Sequence, residues 1–123
     1  LSQALGLSPR QMRCGSDMEI AYLSAFAPGE GYLVYAGTGA IAAFIDHDGH
    51  FQRAGGRGPI LGDEGGGYWI AREALAAIWR QEDEQPGSTQ QSPLAQALFA
   101  AIGGSDWAST RAFVYGADRG AVG

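Results

Sequence analysis

Three stretches of the chain carry residue types that can do chemistry together. Asp17 follows the short, partly apolar segment 11–16, which reads as a strand delivering it to a sheet edge. Ligands of open α/β sheets gather at such strand ends, and a carboxylate there can take a proton from a nucleophile. A plain helix N-cap accounts for Asp17 as well. The second stretch is Gly37-Thr38-Gly39, directly after the apolar, aromatic run Tyr32-Leu33-Val34-Tyr35-Ala36. Its glycines let backbone N–H groups come close to an anion and Thr38 adds a hydroxyl donor, although a tight hairpin turn uses the same tripeptide. The third is Gly62-Asp63-Glu64-Gly65, two carboxylates between glycines just before a helix. A helix dipole explains acids at that place, but not glycines on both sides, nor the cluster Gly55-Gly56-Arg57-Gly58 upstream. Each glycine in regular structure costs roughly 0.5–1 kcal/mol relative to alanine, so a segment this rich in them holds backbone close to a ligand.

Other chemistries are excluded or find simpler explanations. All eight basic residues are arginines, and a Walker A loop, a protein-kinase ion pair or a Schiff base needs a lysine. Asp46, His47, Asp48 and His50 imitate the start of a calcium loop, but the downstream glutamate is missing and a solvated hairpin tip explains them. Cys14, expected to be buried beside Asp17, is the single cysteine; no internal disulfide or thiolate cluster is possible, which fits a cytoplasmic protein. The net charge is −5 with the arginines scattered singly, so nucleic acid is not an expected partner. The longest apolar runs, 20–27 and 94–102, are too short to span a bilayer, and no membrane association is expected.

The elements that must position these residues follow from pattern and punctuation. A helix is expected from Asp17 to about Phe26, with Asp17 as its cap and Pro28-Gly29 ending it. Strands are expected over 32–36 and 40–45, then a turn at Asp46-His47-Asp48-Gly49 and a returning strand over 50–54. From Tyr68 the period becomes helical, with Tyr68, Ala71, Leu75 and Ile78 on one face. Glu82, Asp83 and Glu84 oppose the dipole at a C-terminus, which places the helix end near Arg80 or Gln81 and leaves 86–92 as a polar loop. Ser92-Pro93 opens a second helix that runs to Gly103-Gly104, and 105–115 reads as a third. The tryptophans Trp69, Trp79 and Trp107 are expected in the core or over a cleft. Residues 1–7 read as the end of a helix begun earlier and 117–123 as an interrupted loop, so the sequence is expected to be part of a longer enzyme.

Taken together, Gly37-Thr38-Gly39 and the long run from Gly55 through Gly62-Asp63-Glu64-Gly65-Gly66-Gly67-Tyr68-Trp69-Ile70-Ala71-Arg72-Glu73 to Leu75 closely resemble the BadF/BadG/BcrA/BcrD-type ATPase family, in particular its N-acetylglucosamine and glucosamine kinase branch. The resemblance covers about the whole chain, Val114-Tyr115-Gly116 included. It implies an α/β, ribonuclease H-like (actin/hexokinase-like) fold of which this is the central part. Residues 1–30 would close the N-terminal lobe and 31–123 open the C-terminal lobe. It implies an ATP-dependent, Mg²⁺-assisted kinase for an amino sugar, commonly a homodimer. Asp17 would be the catalytic base, Gly37, Thr38 and Gly39 the second phosphate loop, and Gly56, Asp63 and Glu64 the sugar site, Glu64 serving orientation or metal-bound water. Ala40 stands where the family often has Ser or Asn, and Arg57 where it commonly has an aromatic residue. Two alternatives stay open at this point: an ATPase activator of 2-hydroxyacyl-CoA dehydratases, which carries cluster-forming cysteines, and a sugar-sensing domain that has lost transfer.

Overall fold

The computed structural model describes residues 2–6, 8, 10, 12, 14–116 and 122. The elements run α1 (Ser2–Leu5), α2 (Asp17–Ala25), β1 (Leu33–Ala36), β2 (Ala40–Ile45), β3 (Phe51–Gly55), α3 (Gly67–Glu84), α4 (Ser88–Gln91), α5 (Pro93–Ile102) and α6 (Trp107–Gly116). The strands form one sheet in the order β1-β2-β3, antiparallel because each neighbour is reached by a short connection. The chain divides into two compact units, Leu1–Val34 with Ala42–Ala54, and Tyr35–Ile41 with Gly55–Gly123.

The first unit is built around Tyr22, which is fully buried on α2. Its ring lies 5.5 Å from that of Phe26 and edge-on, at 6.3 Å, to that of Phe44. Its hydroxyl donates to the Glu30 carbonyl, so the polar end of a buried ring is satisfied by the turn that follows the helix. On β2, Ala43 and Ile45 point inward at the two-residue period of a half-buried strand. The hairpin tip is organised by Asp46, whose carboxylate accepts the N–H groups of Asp48 at 3.0 Å and His50 at 2.8 Å. The His50 N–H, followed by the ring of His50, holds the Asp46 carboxyl below its usual range. Asp46, Asp48 and His50 are the one grouping among the described residues with metal-ligand proximity, and turn formation accounts for it.

The second unit has its core where Ile78 of α3 meets Ala95 and Phe99 of α5, flanked by Trp79, Leu98 and Ile102. Trp79 packs on Phe99 at 5.8 Å and edge-on against Trp107 at 5.7 Å, although Trp107 itself stays 55% exposed. The start and stop of α5 follow local chemistry: Ser92 Oγ accepts the Ala95 N–H at 3.2 Å, Pro93 occupies the first turn, and Gly103 ends the helix at φ 83°. Asp106 opens α6 by accepting the Ser109 N–H at 2.7 Å, and that bond pulls its carboxyl below the normal range.

Several expectations are corrected. The helix α3 continues to Glu84 instead of stopping near Arg80, and a short helix, α4, replaces part of the polar loop. Both have one cause: Glu82 turns its carboxylate onto Gly87 N–H at 2.8 Å and Thr89 N–H at 2.9 Å, with the Ser88 hydroxyl at 3.2 Å. Those bonds cap α4 and outweigh the dipole penalty, which is only about 0.3–1 kcal/mol. They draw the Glu82 pKa down to about 2, the Gly87 N–H contributing most. No strand forms before α2 among described residues 12 and 14–16, for no sheet partner is there to complete one. In consequence Cys14 is exposed, not buried. The cap of α2 is Ser16, whose Oγ accepts the Glu19 N–H at 3.1 Å; Asp17 is the first helical residue. Residues 117–121 and 123 lie outside the described residues, so the loop expected over 117–123 falls there.

Candidate functional site

In the second unit, three glycine-bearing segments meet at the N-terminus of α3. The Gly-Thr-Gly loop between β1 and β2 turns its carbonyls onto that terminus: Gly67 N–H donates to the Gly37 carbonyl at 2.7 Å and Tyr68 N–H to the Thr38 carbonyl at 3.2 Å. The chain has no cis peptide among the described residues, and in a trans peptide C=O and N–H point opposite ways. The N–H groups of Thr38 and Gly39 share peptides with those two carbonyls, so both are aimed away from α3. Among the described residues neither makes a turn or cap hydrogen bond. The loop thus presents two N–H groups and a hydroxyl, backed by the positive end of an 18-residue helix dipole. Such an arrangement has the donors that an anion cradle requires.

The cradle exists only because Gly66 has no side chain. A Cβ on Gly66 would lie 2.6 Å from both Cα and C of Gly39 and 2.8 Å from the Thr38 carbonyl oxygen. Gly66 caps α3 at φ −74°, a conformation open to any residue, so space and not backbone freedom demands glycine.

Asp63 lies against the same loop. A Cβ on Gly39 would fall 2.6 Å from Asp63 Oδ2, while Oδ1 accepts the Gly58 N–H at 3.3 Å. Asp63 is also the non-glycine residue that adopts a positive φ, 64°, among the described residues. Aspartate tolerates this region better than most residues, yet such strain persists where the surroundings fix it, often at functional sites. Gly56, at φ 61°, donates its N–H to the Ala40 carbonyl at 2.8 Å, which ties the second glycine cluster to the start of β2. Arg72 braces the intervening turn through the Pro59 carbonyl at 3.4 Å while paired to Glu73 at 2.9 Å.

The structure therefore brings together Gly37, Thr38, Gly39, Gly56 and Asp63. Glu64 adjoins them and is exposed, without a hydrogen bond among the described residues. Asp17 belongs to the first unit, exposed at the first turn of α2, its carboxylate 2.9 Å from the Met18 N–H. Gly58 and Gly66 are the participants that residue types alone did not single out. The glycine runs signalled close approach, but which glycine faces a backbone is a property of the packing.

The sequence pattern of the BadF/BadG/BcrA/BcrD ATPase family matches residues 5–113. The chain belongs to this family. Among similar proteins, an N-acetylmuramic acid/N-acetylglucosamine kinase of Clostridium acetobutylicum is 38% identical over 74 residues, 60% of this chain and 24% of that protein. An N-acetyl-D-glucosamine kinase of Dictyostelium discoideum is 37% identical over 54 residues, covering 44% of this chain and 17% of that one. A solved structure described as a candidate N-acetylglucosamine kinase of Chromobacterium violaceum superposes with a TM-score of 0.66 and 28% identity, over 85% of this chain and 35% of its own. The family member described here thus shares its α/β architecture with a solved relative, and spans about a third or less of the relatives it matches.

Proposed function

We propose that the chain is the central part of a two-lobed, actin/hexokinase-like kinase that transfers the γ-phosphoryl group of ATP to a hydroxyl of an amino sugar. Residues 1–30 close its N-terminal lobe and 31–123 open its C-terminal lobe. The observation that carries the reading is the anion cradle of Thr38 and Gly39 with the Asp63 carboxylate beside it, one feature suited to phosphate and the other to hydroxyls. Relatives named as N-acetylglucosamine and N-acetylmuramic acid kinases support the substrate class.

In this reading Thr38 and the N–H groups of the loop hold the β- and γ-phosphates. Asp63 and the backbone at Gly56 hold the sugar, and Glu64 orients it or the water of a cation. Asp17 accepts the proton of the attacking hydroxyl as its oxygen bonds to the γ-phosphorus; the bond to the β-bridging oxygen breaks and ADP leaves with that electron pair. A carboxylate against Gly39 repels a bound phosphate unless a cation intervenes, so the residues present fit Mg²⁺, with the exposed Glu64 carboxylate able to hold it through its water. When bound, Mg²⁺ supplies charge neutralisation between phosphate oxygens. The resemblance further implies a cytoplasmic homodimer; no helix among the described residues is long and apolar enough to cross a membrane.

The test is ADP release by the intact protein with ATP, Mg²⁺ and a panel of amino sugars. Asp17→Asn should lower kcat about 10²–10⁴-fold and leave the sugar Kd within about twofold. Because Ser16 caps α2, the helix should survive the substitution. Near-normal turnover by the variant would remove Asp17 from the mechanism. The exposed Cys14 favours one second reading, the dehydratase activator with a cluster shared between subunits. Visible absorbance of an iron–sulfur centre in the anaerobically purified protein would support that reading against the kinase.

A further inference from the structure

We propose that Tyr22 is a positioning residue for Asp17, its buried ring and hydroxyl holding the helix that carries the base against β2. This rests on the kinase reading and deepens it by naming what places the base. A helix of 9 residues is marginal in water by itself, so α2 needs a tertiary anchor. That anchor is one side chain. Tyr22 is the buried residue of α2, at 0% exposure, while Ile20 and Leu23 of the same helix stay 61% and 40% exposed. Asp17 opens α2 and is itself exposed, so its carboxylate goes wherever Tyr22 fixes the helix.

The seat of Tyr22 is polar as well as aromatic. Its hydroxyl donates to the Glu30 carbonyl, and the carbonyl oxygens of Ile45, Gly31 and Ala27 stand around it at 3.3, 3.4 and 3.5 Å. A phenol carries a single proton, so acceptors from the turn after α2 and from the end of β2 converge on one donor. Gly29 N–H donates to the same Ile45 carbonyl at 2.7 Å and fastens that turn to the strand. Phe44 of β2 meets the Tyr22 ring edge-on at 6.3 Å and is backed by Tyr32, stacked on it at 5.0 Å. Phenylalanine would serve packing alone. The hydroxyl adds direction, and without it the Glu30 carbonyl loses a donor and the turn loses a tie to the helix. The strand so tied begins at Ala40, the residue after Gly39.

The experiment is a double-mutant cycle of Tyr22→Phe with Asp17→Asn in the intact protein. Its substrates are ATP with Mg²⁺ and, in turn, N-acetylglucosamine, N-acetylmuramic acid and glucosamine. The temperature is one at which circular dichroism finds every member of the cycle folded. Tyr22→Phe should lower kcat about 10-fold, short of the roughly 10²-fold of a full 1 Å misplacement. KM for ATP and for the sugar should stay within about twofold, because neither ligand is held by α2 in this reading. In the Asp17→Asn background the same change should lower kcat by less than about twofold, since no base is left to misplace. Equal losses in both backgrounds are what a merely structural role gives, and they overturn the inference, as does wild-type kcat in Tyr22→Phe. If Tyr22→Phe does not fold, Phe44→Leu replaces it in the cycle. That variant removes the edge-on ring of β2, keeps the hydroxyl, and is held to the same dependence on Asp17. Wild-type protein that phosphorylates none of the sugars, or normal turnover by Asp17→Asn alone, sinks the kinase reading and this inference together. Loss on Asp17→Asn without coupling to Tyr22 sinks the inference alone.

Discussion

Replacing Gly66 by alanine tests whether the proposed phosphate cradle depends on close approach of two backbones. At φ −74° alanine is unstrained, and by itself the change would stabilise the fold by about 0.4–1 kcal/mol through the unfolded chain. Space reverses the sign. The new methyl would start 2.6 Å from Gly39 Cα and C, whereas ordinary contact begins at 3.4 Å, and neither neighbour is a side chain that can swing aside. The loop and the first turn of α3 must separate by the difference, stretching the Gly67–Gly37 and Tyr68–Thr38 hydrogen bonds that orient the cradle. Overpacking of this kind costs about 1–3 kcal/mol, so the net loss of stability should be about 1–2 kcal/mol. A displacement near 1 Å at a reacting group costs about 10²-fold, and kcat/KM for ATP should fall about 10–100-fold. Gly65→Ala is the control. Gly65 sits at φ 85° and a methyl there would meet nothing within 4 Å, so alanine is strained by about 1–2 kcal/mol without pushing on the loop. Urea denaturation should then find the two variants similarly destabilised, while only Gly66→Ala loses ATP affinity. If Gly66→Ala keeps wild-type stability and ATP kinetics, the cradle is not built as described.

Two further outcomes are expected. Glu82 has its pKa lowered from 4.5 to about 2, so the stability it contributes is present above about pH 4.5 and is lost as the pH falls through its folded value. Thermal melts followed by far-ultraviolet circular dichroism should find wild type more stable than Glu82→Gln at neutral pH, the gap closing toward pH 2; a gap independent of pH would refute the cap. Asp63→Gly relieves the positive φ but loses the bond to Gly58 N–H, effects of about 1 kcal/mol each and opposite sign, so stability should hardly move. Its sugar affinity should nonetheless fall about 10–100-fold by calorimetry, and unchanged affinity would exclude Asp63 from the sugar site.

The parts of the fold that are legible in the residues are those with local causes. Asp46 and Gly49 announce their hairpin because an Asx turn closes within four residues, and Ser92, Pro93 and Gly103 bound α5 because caps act on the adjacent turn. The segment before Asp17 reads as a strand and forms none among its described residues, because a short apolar stretch has that composition whether or not another strand stands beside it. The end of α3 escapes a local reading for a related reason. A dipole rule sees Glu82 near a helix terminus, but not the Gly87 and Thr89 N–H groups that the following turn brings back to it.

The same division holds for the candidate site. Residue types alone determined that glycine loops and carboxylates were present in a pattern resembling a sugar-kinase family, since glycine's conformational cost and the chemistry of a carboxylate travel with the residue. Only the tertiary structure decided which glycine must remain bare, which way the Thr38 and Gly39 N–H groups face, and that Asp63 stands against Gly39 while Arg57 stays unpaired among the described residues. Those are relations between atoms far apart in the chain, set by how α3 docks on the turn between β1 and β2, and no local propensity encodes them.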